Sequence, residues 1–469
     1  MAHLTRCNAP FPHRLNMAAL LAAATKGAFA EMKLLIESNA DIDFQDDEGW
    51  TPLMMCAITG HPKCVKLLLD ANADLERKTN NGDTALVVTA ANGEDKCLRH
   101  LIDARADLEA KNDLERTALM MTAAKGEAKC MKLLITAKAD VQAGDIDDVT
   151  ALIMAAAEGH PDSMKMLIDA KADIEAKDHE HMTALAMAAA YGELDSVRFL
   201  INAKANLEAK NFKGRPPLMF AAQNNNIQIV QLLLDAKANL LAEDDFGYTA
   251  LALAAGQGAA DCLQLLIDAQ ADLDTRHTEQ STPLMWAAEE GHTECVARLI
   301  ASKADIKAKS DTGSTALHKA AAHGREDTTH QLIAAKADLE VKRESGETAL
   351  MLAVGEGQLA TAQLLVEAQA DVRARDNVNA TPLFIAAEMG HADCVQMLFD
   401  AKASITARNA EGVTPLIAAV REGRLDCVQQ LIALKADVST QDYGGRNAVF
   451  WALMTQNLGC LSFLDNASS

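Results

Sequence analysis

One spacing constrains this chain more than any other feature. Threonine recurs at Thr51, Thr84, Thr117, Thr150, Thr183, Thr249, Thr282, Thr315, Thr348, Thr381 and Thr414, and every interval is 33 residues or a multiple of it. Pro216 fills the missing step, and Asn447 the step after Thr414. A leucine follows two residues later from Leu53 to Leu416, and a glycine nine residues later from Gly60 to Gly423, with Asn225 in the Pro216 copy. No insertion breaks the phase. A chain built this way stacks like units on one another, because each copy presents the same face to its neighbour.

Each copy reads as two short helices and a turn. The threonine hydroxyl is placed to cap the first helix, and Pro52, Pro283, Pro382 and Pro415 take the first helical position, where a missing N–H costs nothing. Small pairs such as Ala155-Ala156 and Ala287-Ala288 let helices approach. The glycine suits a left-handed turn, and Asn225 is the residue type that next best tolerates one. Apolar pairs such as Leu133-Leu134 mark the second helix, and segments such as LIDAKADIEAKD at 167–178 lead through a polar connection to the next copy. Aromatic residues are only 4% of the chain, so the core is aliphatic. The predicted fold class is all-α, a solenoid of stacked helix-turn-helix units. Residues 1–15 are expected to form an N-terminal extension and 16–465 one solenoid: an N-terminal cap at 16–45, twelve internal repeats at 46–441 and a C-terminal cap at 442–465. A tail follows at 466–469.

The formal net charge of −22 argues against a nucleic-acid backbone as the main partner, since that binding is driven by Lys and Arg. No apolar run approaches the roughly 20 residues of a spanning helix, so membrane attachment is expected only through a partner. Residues 1–30 contain Arg6, Arg14 and Lys26, no acid, and the run MAALLAAA, which has features of a targeting peptide. Leu20 and Gly27 keep the repeat register, however, and favour the first helix of a capping unit.

The stretches TPLMMCAITGH at 51–61 and TALHKAAAHGR at 315–325 resemble the ankyrin repeat, over nearly the whole chain from about residue 15 to about 465. The resemblance implies antiparallel helix pairs, projecting hairpin-like loops and a concave face that binds other proteins. Two departures stand out. The usual histidine after T-x-L survives only as His318; Met54, Met120, Met219, Met285 and Met351 are among its replacements, and they imply loss of a Thr–His hydrogen bond. The usual glycine ending the second helix is replaced by Lys138, Lys171, Lys204, Lys237, Lys303, Lys336, Lys402 and Lys435, with Arg, Asn or Gln elsewhere. A left-handed non-glycine residue costs about 1–2 kcal/mol, and a cation at a helix C-terminus regains about 0.3–1 kcal/mol. The loop asparagine that can be hydroxylated in this family is absent, so that modification is not expected.

Residues with chemical potential fall into structural slots. Eight of the ten cysteines, Cys64 to Cys460, share one slot in the second helix, which predicts buried thiols and a reducing, intracellular setting. His61, His160, His292 and His391 follow the turn glycine. His179-Glu180-His181 is the one local cluster, on a projecting loop. There is no CxxC pair, phosphate loop, GxSxG or HExxH. No catalytic residue, metal or cofactor is therefore expected. The ladders Lys78, Lys111, Lys177, Lys210, Lys309, Lys342 and Asp74, Asp107, Asp140, Asp173 and their equivalents read as solvated, mutually neutralising rows.

By the resemblance, partner contacts belong on loop tips and at the ends of first helices. Tyr191, Phe212, Lys213, Arg215, Phe246 and Tyr248 fall on such positions in three consecutive copies, and Trp50 and Tyr443 on tips near the ends. Aromatics and Arg dominate binding hot spots. The competing reading has these aromatics pack between adjacent loops. Trp286 and Trp451 occupy a slot usually filled by Met, Val or Leu and are expected in the core. The function expected is a monomeric, cytoplasmic or nuclear, non-catalytic scaffold or adaptor for other proteins. The alternatives are a targeting or regulatory subunit of an enzyme complex, and a lipid- or nucleic-acid-binding module using the Lys-rich edge.

Overall fold

The computed structural model describes residues 11–467. Among them it contains 28 α-helices, one short 3-10 turn at Thr278–Gln280 and no strands; isolated bridges pair Gly144 with Thr150 and Lys177 with Thr183. The first helix begins at Phe11, so the extension expected over 1–15 overlaps it, and residues 1–10 lie outside the described residues. The chain divides into two compact units. One runs to Ala221 and includes Gln231–Asn239; the other holds Ala222–Val230 and everything from Leu240.

The first unit repeats one helix pair. After Phe11–Lys26 and Phe29–Glu37 come Pro52–Ile58 with Pro62–Asp70, Ala85–Ala91 with Asp95–Asp103, and three further pairs ending at Leu194–Asn202. The threonines cap as their chemistry dictates: Thr51 Oγ1 accepts the Met54 N–H at 3.2 Å, and Thr150 Oγ1 the Ile153 N–H at 3.4 Å. Methionine does more than pack. The Thr117 N–H donates to Met120 Sδ at 3.5 Å, so a thioether weakly replaces the imidazole that accepts the same bond in the His318 copy of the second unit. Ala57, Ala90, Ala123, Ala156 and Ala189 are fully buried where first helices meet, beside Leu68, Leu101 and Leu134. Burying each such leucine contributes roughly 1.5–3 kcal/mol.

The residues that replace the helix-end glycines are left-handed. Lys138 has φ 69° and Lys171 φ 72°, and Asn39, Asn72, Arg105 and Lys204 are equally left-handed. The bonding is a Schellman motif: the Lys138 N–H reaches Ile135 O and the Ala139 N–H reaches Leu134 O, both at 3.0 Å. The following alanine then turns inward, with Ala139 and Ala172 buried.

The second unit follows the same rule from Ala250–Gly256 with Ala260–Asp268 to Ala448–Met454 with Leu458–Ala467. Here the register between neighbours is fixed by side chains seven residues after one threonine and four after the next. Glu289 takes Lys319 Nζ at 3.2 Å, the Arg421 guanidinium lies 4.7 Å from the Trp451 ring, and Gly256 lies directly beneath the Trp286 indole. The expectation that Trp286 and Trp451 are core residues is corrected, since both are half-buried. Smaller side chains in the same slot, such as Val88, Leu253 and Ile385, are buried, so it is the size of the indole that carries it to the surface.

The cysteine slot is buried throughout both units, from Cys64 to Cys460, and nine cysteines including Cys56 are unpaired. Burial pushes the thiols up, to about 12 for Cys97, Cys130, Cys262 and Cys427 and to about 11 for Cys295 and Cys394. A thiolate there is strongly disfavoured.

Candidate partner-binding surfaces

The loops are built by one recurring side chain that the sequence reading passed over. In the first unit Asp145 Oδ1 accepts the Asp147 and Val149 N–H groups at 3.0 Å, and Asp178 Oδ1 those of Glu180 and Met182 at 2.9 and 2.8 Å. Neighbouring tips then join through the backbone, as the Phe212 N–H donates to Glu180 O at 3.1 Å. The second unit repeats the device: the Tyr443 N–H donates to Glu411 O at 3.0 Å. A scaffold this fully bonded holds its exposed side chains in place.

The lysine and aspartate ladders lie at the exposed surface, as expected, and the lysines also act as staples. Lys78 Nζ donates to Lys111 O at 2.7 Å and Lys177 Nζ to Lys210 O at 3.1 Å, while in the second unit Lys342 Nζ donates to Arg375 O at 2.6 Å. Each side chain spans to the carbonyl 33 residues ahead. A parallel acid row works beside it: Glu76 Oε1 accepts the Asp107 N–H at 2.9 Å, Glu109 Oε1 that of Asp140 at 2.8 Å, and Glu340 Oε1 that of Asp371 at 2.8 Å. The row of lysines at helix ends is exposed, but Asp or Asn lies two residues after most of them, as in Lys138-Ala139-Asp140. Acid alternates with base along that edge.

The sequence-predicted contact residues separate by environment. In the first unit Tyr191 is 67% and Phe212 52% exposed, with Lys213 Nζ 5.6 Å from the centre of the Phe212 ring. Arg215 is half-buried, its N–H held by Asn211 Oδ1 at 3.0 Å, and Trp50 is half-buried with its N–H on Asp46 Oδ1 at 2.8 Å. In the second unit Phe246 is 52% and Tyr443 72% exposed. Tyr248 differs: its ring stacks on His277 at 4.3 Å and lies 4.8 Å from Trp286, and its hydroxyl accepts from Thr278 Oγ1 at 3.1 Å. For Tyr248 the packing alternative therefore applies.

His277 is a residue that sequence reasoning missed. It occupies the loop position held by Asp145, Asp178, Asp244 and Asp442 in other copies. In this copy the loop folds into the 3-10 turn, with Glu279 and Gln280 left-handed at φ 60° and 56°. The ring is buried and neither nitrogen reaches a hydrogen-bond partner, the Thr282 backbone lying near it outside bonding geometry. Burial lowers its pKa to about 4. A histidine at a position held by Asp, Asn, Ser or Thr in every other copy but that of Arg343 was the available signal.

The remaining chemical candidates are structural. His292 Nε2–H donates to Gly256 O and His391 Nε2–H to Gly355 O, both at 3.0 Å. His179 Nδ1 lies 3.3 Å from Asp147 O on its loop. Among the described residues no three His, Cys, Asp or Glu side chains converge to hold a metal, and no helix is long and apolar enough to cross a membrane. A family model described as ankyrin repeats (3 copies) matches in overlapping stretches at 20–112, 86–178, 153–244, 185–277, 218–310, 251–343, 299–376, 317–409 and 401–468. A search of curated proteins finds no match.

Proposed function

Since this chain belongs to the ankyrin-repeat family, whose repeats are generally protein–protein interaction modules, we propose that it is a non-catalytic scaffold or adaptor whose loop tips and first-helix ends hold partner proteins. The observation that carries this reading is the exposure of Tyr191, Phe212 and Phe246 on loops and helix ends whose own backbone bonds are already made. Large aromatic rings left in water on a rigid support bring contact area at little ordering cost to the protein that holds them. Each unit offers its own surface: Tyr191 and Phe212 with Lys213 and Arg215 in the first, Phe246 with the half-buried Trp286 in the second. The unpaired, buried thiols support a reducing compartment, the cytoplasm or nucleus.

The test is affinity capture from lysate at near-physiological salt, comparing the natural chain with Tyr191→Ala/Phe212→Ala and, separately, Phe246→Ala. Tyr248 is left intact because its loss would disturb the packing around Trp286. Circular dichroism checks that the variants remain folded. Partners that disappear from one variant alone assign that unit's surface. Identical partner profiles from all three chains refute the assignment to these aromatics.

A further inference from the structure

In the loops of the second unit the acid row stops. The position held by Glu76, Glu109, Glu175, Glu208 and Glu340 is taken by Arg373, Thr406 and Ser439 in three consecutive copies, and Ser404 stands where Asp371 and its equivalents stand. In copies that keep the acid, its oxygen accepts the backbone N–H 31 residues ahead, as Asp274 Oδ1 does for Asp305 at 2.9 Å. Arg373 has no oxygen to offer the Ser404 N–H. Leu241 and Lys307 interrupt the row elsewhere, but at Arg373 the interruption opens on a cleft.

That cleft has a volume of about 810 Å³ and is lined by Arg373, Arg375, Arg408, Ser404, Thr406 and Tyr443 among others. The Arg375 guanidinium is held by the carbonyls of Asn379 and Arg408 at 2.8 and 2.9 Å, which orient it without neutralising it. Of the nearby carboxylates two are neutralised by other arginines and two hold backbone N–H groups with their charge retained, fewer than the three arginines here. Asp371 caps the Arg373 N–H at 2.9 Å, Asp376 holds Val378 and Ala380, Asp442 pairs with Arg446 at 2.9 Å, and Glu411 pairs with Arg421 at 3.2 Å. Among the described residues none of the three arginines pairs with a carboxylate. The Ser404 and Thr406 hydroxyls lie 3.3 Å apart beside them.

We propose that this cleft binds a phosphoserine or phosphothreonine side chain of a partner protein. Guanidinium forks match a phosphate's oxygens bidentately, and the two hydroxyls and the Ser404 N–H add donors where a glutamate oxygen sits in other copies. The volume exceeds what one phosphate fills and leaves room for flanking residues, with the exposed Tyr443 ring as a wall. A membrane or polynucleotide would bring charge far beyond the local arginines, against a chain of net charge −22. A single phosphate feels mainly the groups within about one Debye length, roughly 8 Å.

The site is distinct from the aromatic surfaces above and stands or falls separately. The full chain is passed over an immobilised degenerate phosphoserine/phosphothreonine peptide library and its unphosphorylated counterpart. Retention on the phosphorylated library should be stronger by about tenfold or more, the weight of one charge-assisted contact. The variant Arg373→Glu/Ser404→Asp rewrites the loop in the pattern of its neighbours and restores the missing acceptor, so it folds; it should lose the discrimination. Arg408→Gln should weaken it, and Phe246→Ala should leave it unchanged. Equal retention of the two libraries, or unchanged discrimination in Arg373→Glu/Ser404→Asp, overturns the proposal. So does binding confined to phosphoinositide vesicles, which would give the cleft to a lipid headgroup.

Discussion

Alanine at Gly256 should change the sign of its effect with the residue at 286. Gly256 ends the helix Ala250–Gly256 in an ordinary helical conformation and is buried. An added methyl therefore brings the usual helical advantage of alanine over glycine, about 1 kcal/mol. The same methyl would overlap the Cδ2, Cε2 and Cε3 atoms of Trp286. The indole is stiff and already bracketed by Tyr248 and His277, so it cannot bend aside. Overpacking of this kind costs about 1–3 kcal/mol, so Gly256→Ala should destabilise the natural chain by up to about 2 kcal/mol. In a Trp286→Met background it should stabilise by about 1 kcal/mol, because alanine with methionine is the pair other copies use, as at Ala124 and Met154. The coupling between the two sites is then about 1–3 kcal/mol, read from urea midpoints and from amide exchange in the two helices. Gly355→Ala is the control. Its Cβ would meet only Ile385 Cγ2, at 3.2 Å, and a small shift relieves that. Equal stabilisation by Gly256→Ala in both backgrounds would refute the seating of the indole against the glycine.

Further outcomes follow from other residues. The Thr361 hydroxyl is buried without a hydrogen-bond partner in the slot that holds cysteine in eight copies; Thr361→Cys should stabilise by about 1 kcal/mol in urea unfolding. His318 is buried with its pKa lowered to about 4 by desolvation. A depressed folded-state pKa contributes stability that is present above 6.5, the unfolded value, and lost as pH falls through about 4. His318→Met should therefore gain about 3 kcal/mol relative to the natural chain between pH 7 and pH 4, measured as the difference between their urea curves. Lys342→Met removes the bond to Arg375 O; exchange at the adjoining loop amides should rise about tenfold, while protection of the buried helices stays within about twofold.

The fold was legible because its instructions recur. A threonine that caps, a glycine that turns and Asn225 in place of one glycine each carry a local conformational meaning, and Asn225 does take φ 56°. The left-handed lysines were not legible, because lysine carries no preference for that conformation. The clue lay in the invariant small residue after them, where Ala139 and Ala172 turn inward to close the motif. The staples were not legible for another reason: the lysines of the ladder and the glutamates beside it each bond a backbone group one copy away, and backbone atoms leave no mark in a sequence. Of the site residues, exposure separated Tyr191, Phe212, Phe246 and Tyr443 from Tyr248, whose packing depends on His277, 29 residues distant. Arg373 and Arg408 drew no notice one at a time. Their meaning comes from what the other copies place at the same positions.

The staples between loops all reach one copy ahead, by 33 residues for the lysines and 31 for the acids. Removing Thr84–Arg116 would hand Lys78 the carbonyl of Gly144, the acceptor that Lys111 uses now, and give Glu76 the N–H of Asp140. Both bonds across the seam would be of a kind the protein already makes. Excision or duplication in steps of 33 residues therefore keeps these staples in register, while a step of 32 or 34 sets those that cross the seam one residue out of place. A chain shortened or lengthened by whole copies should keep these loop bonds, and it would lose only pairs peculiar to two neighbours, such as Gly256 with Trp286, where the seam falls between them.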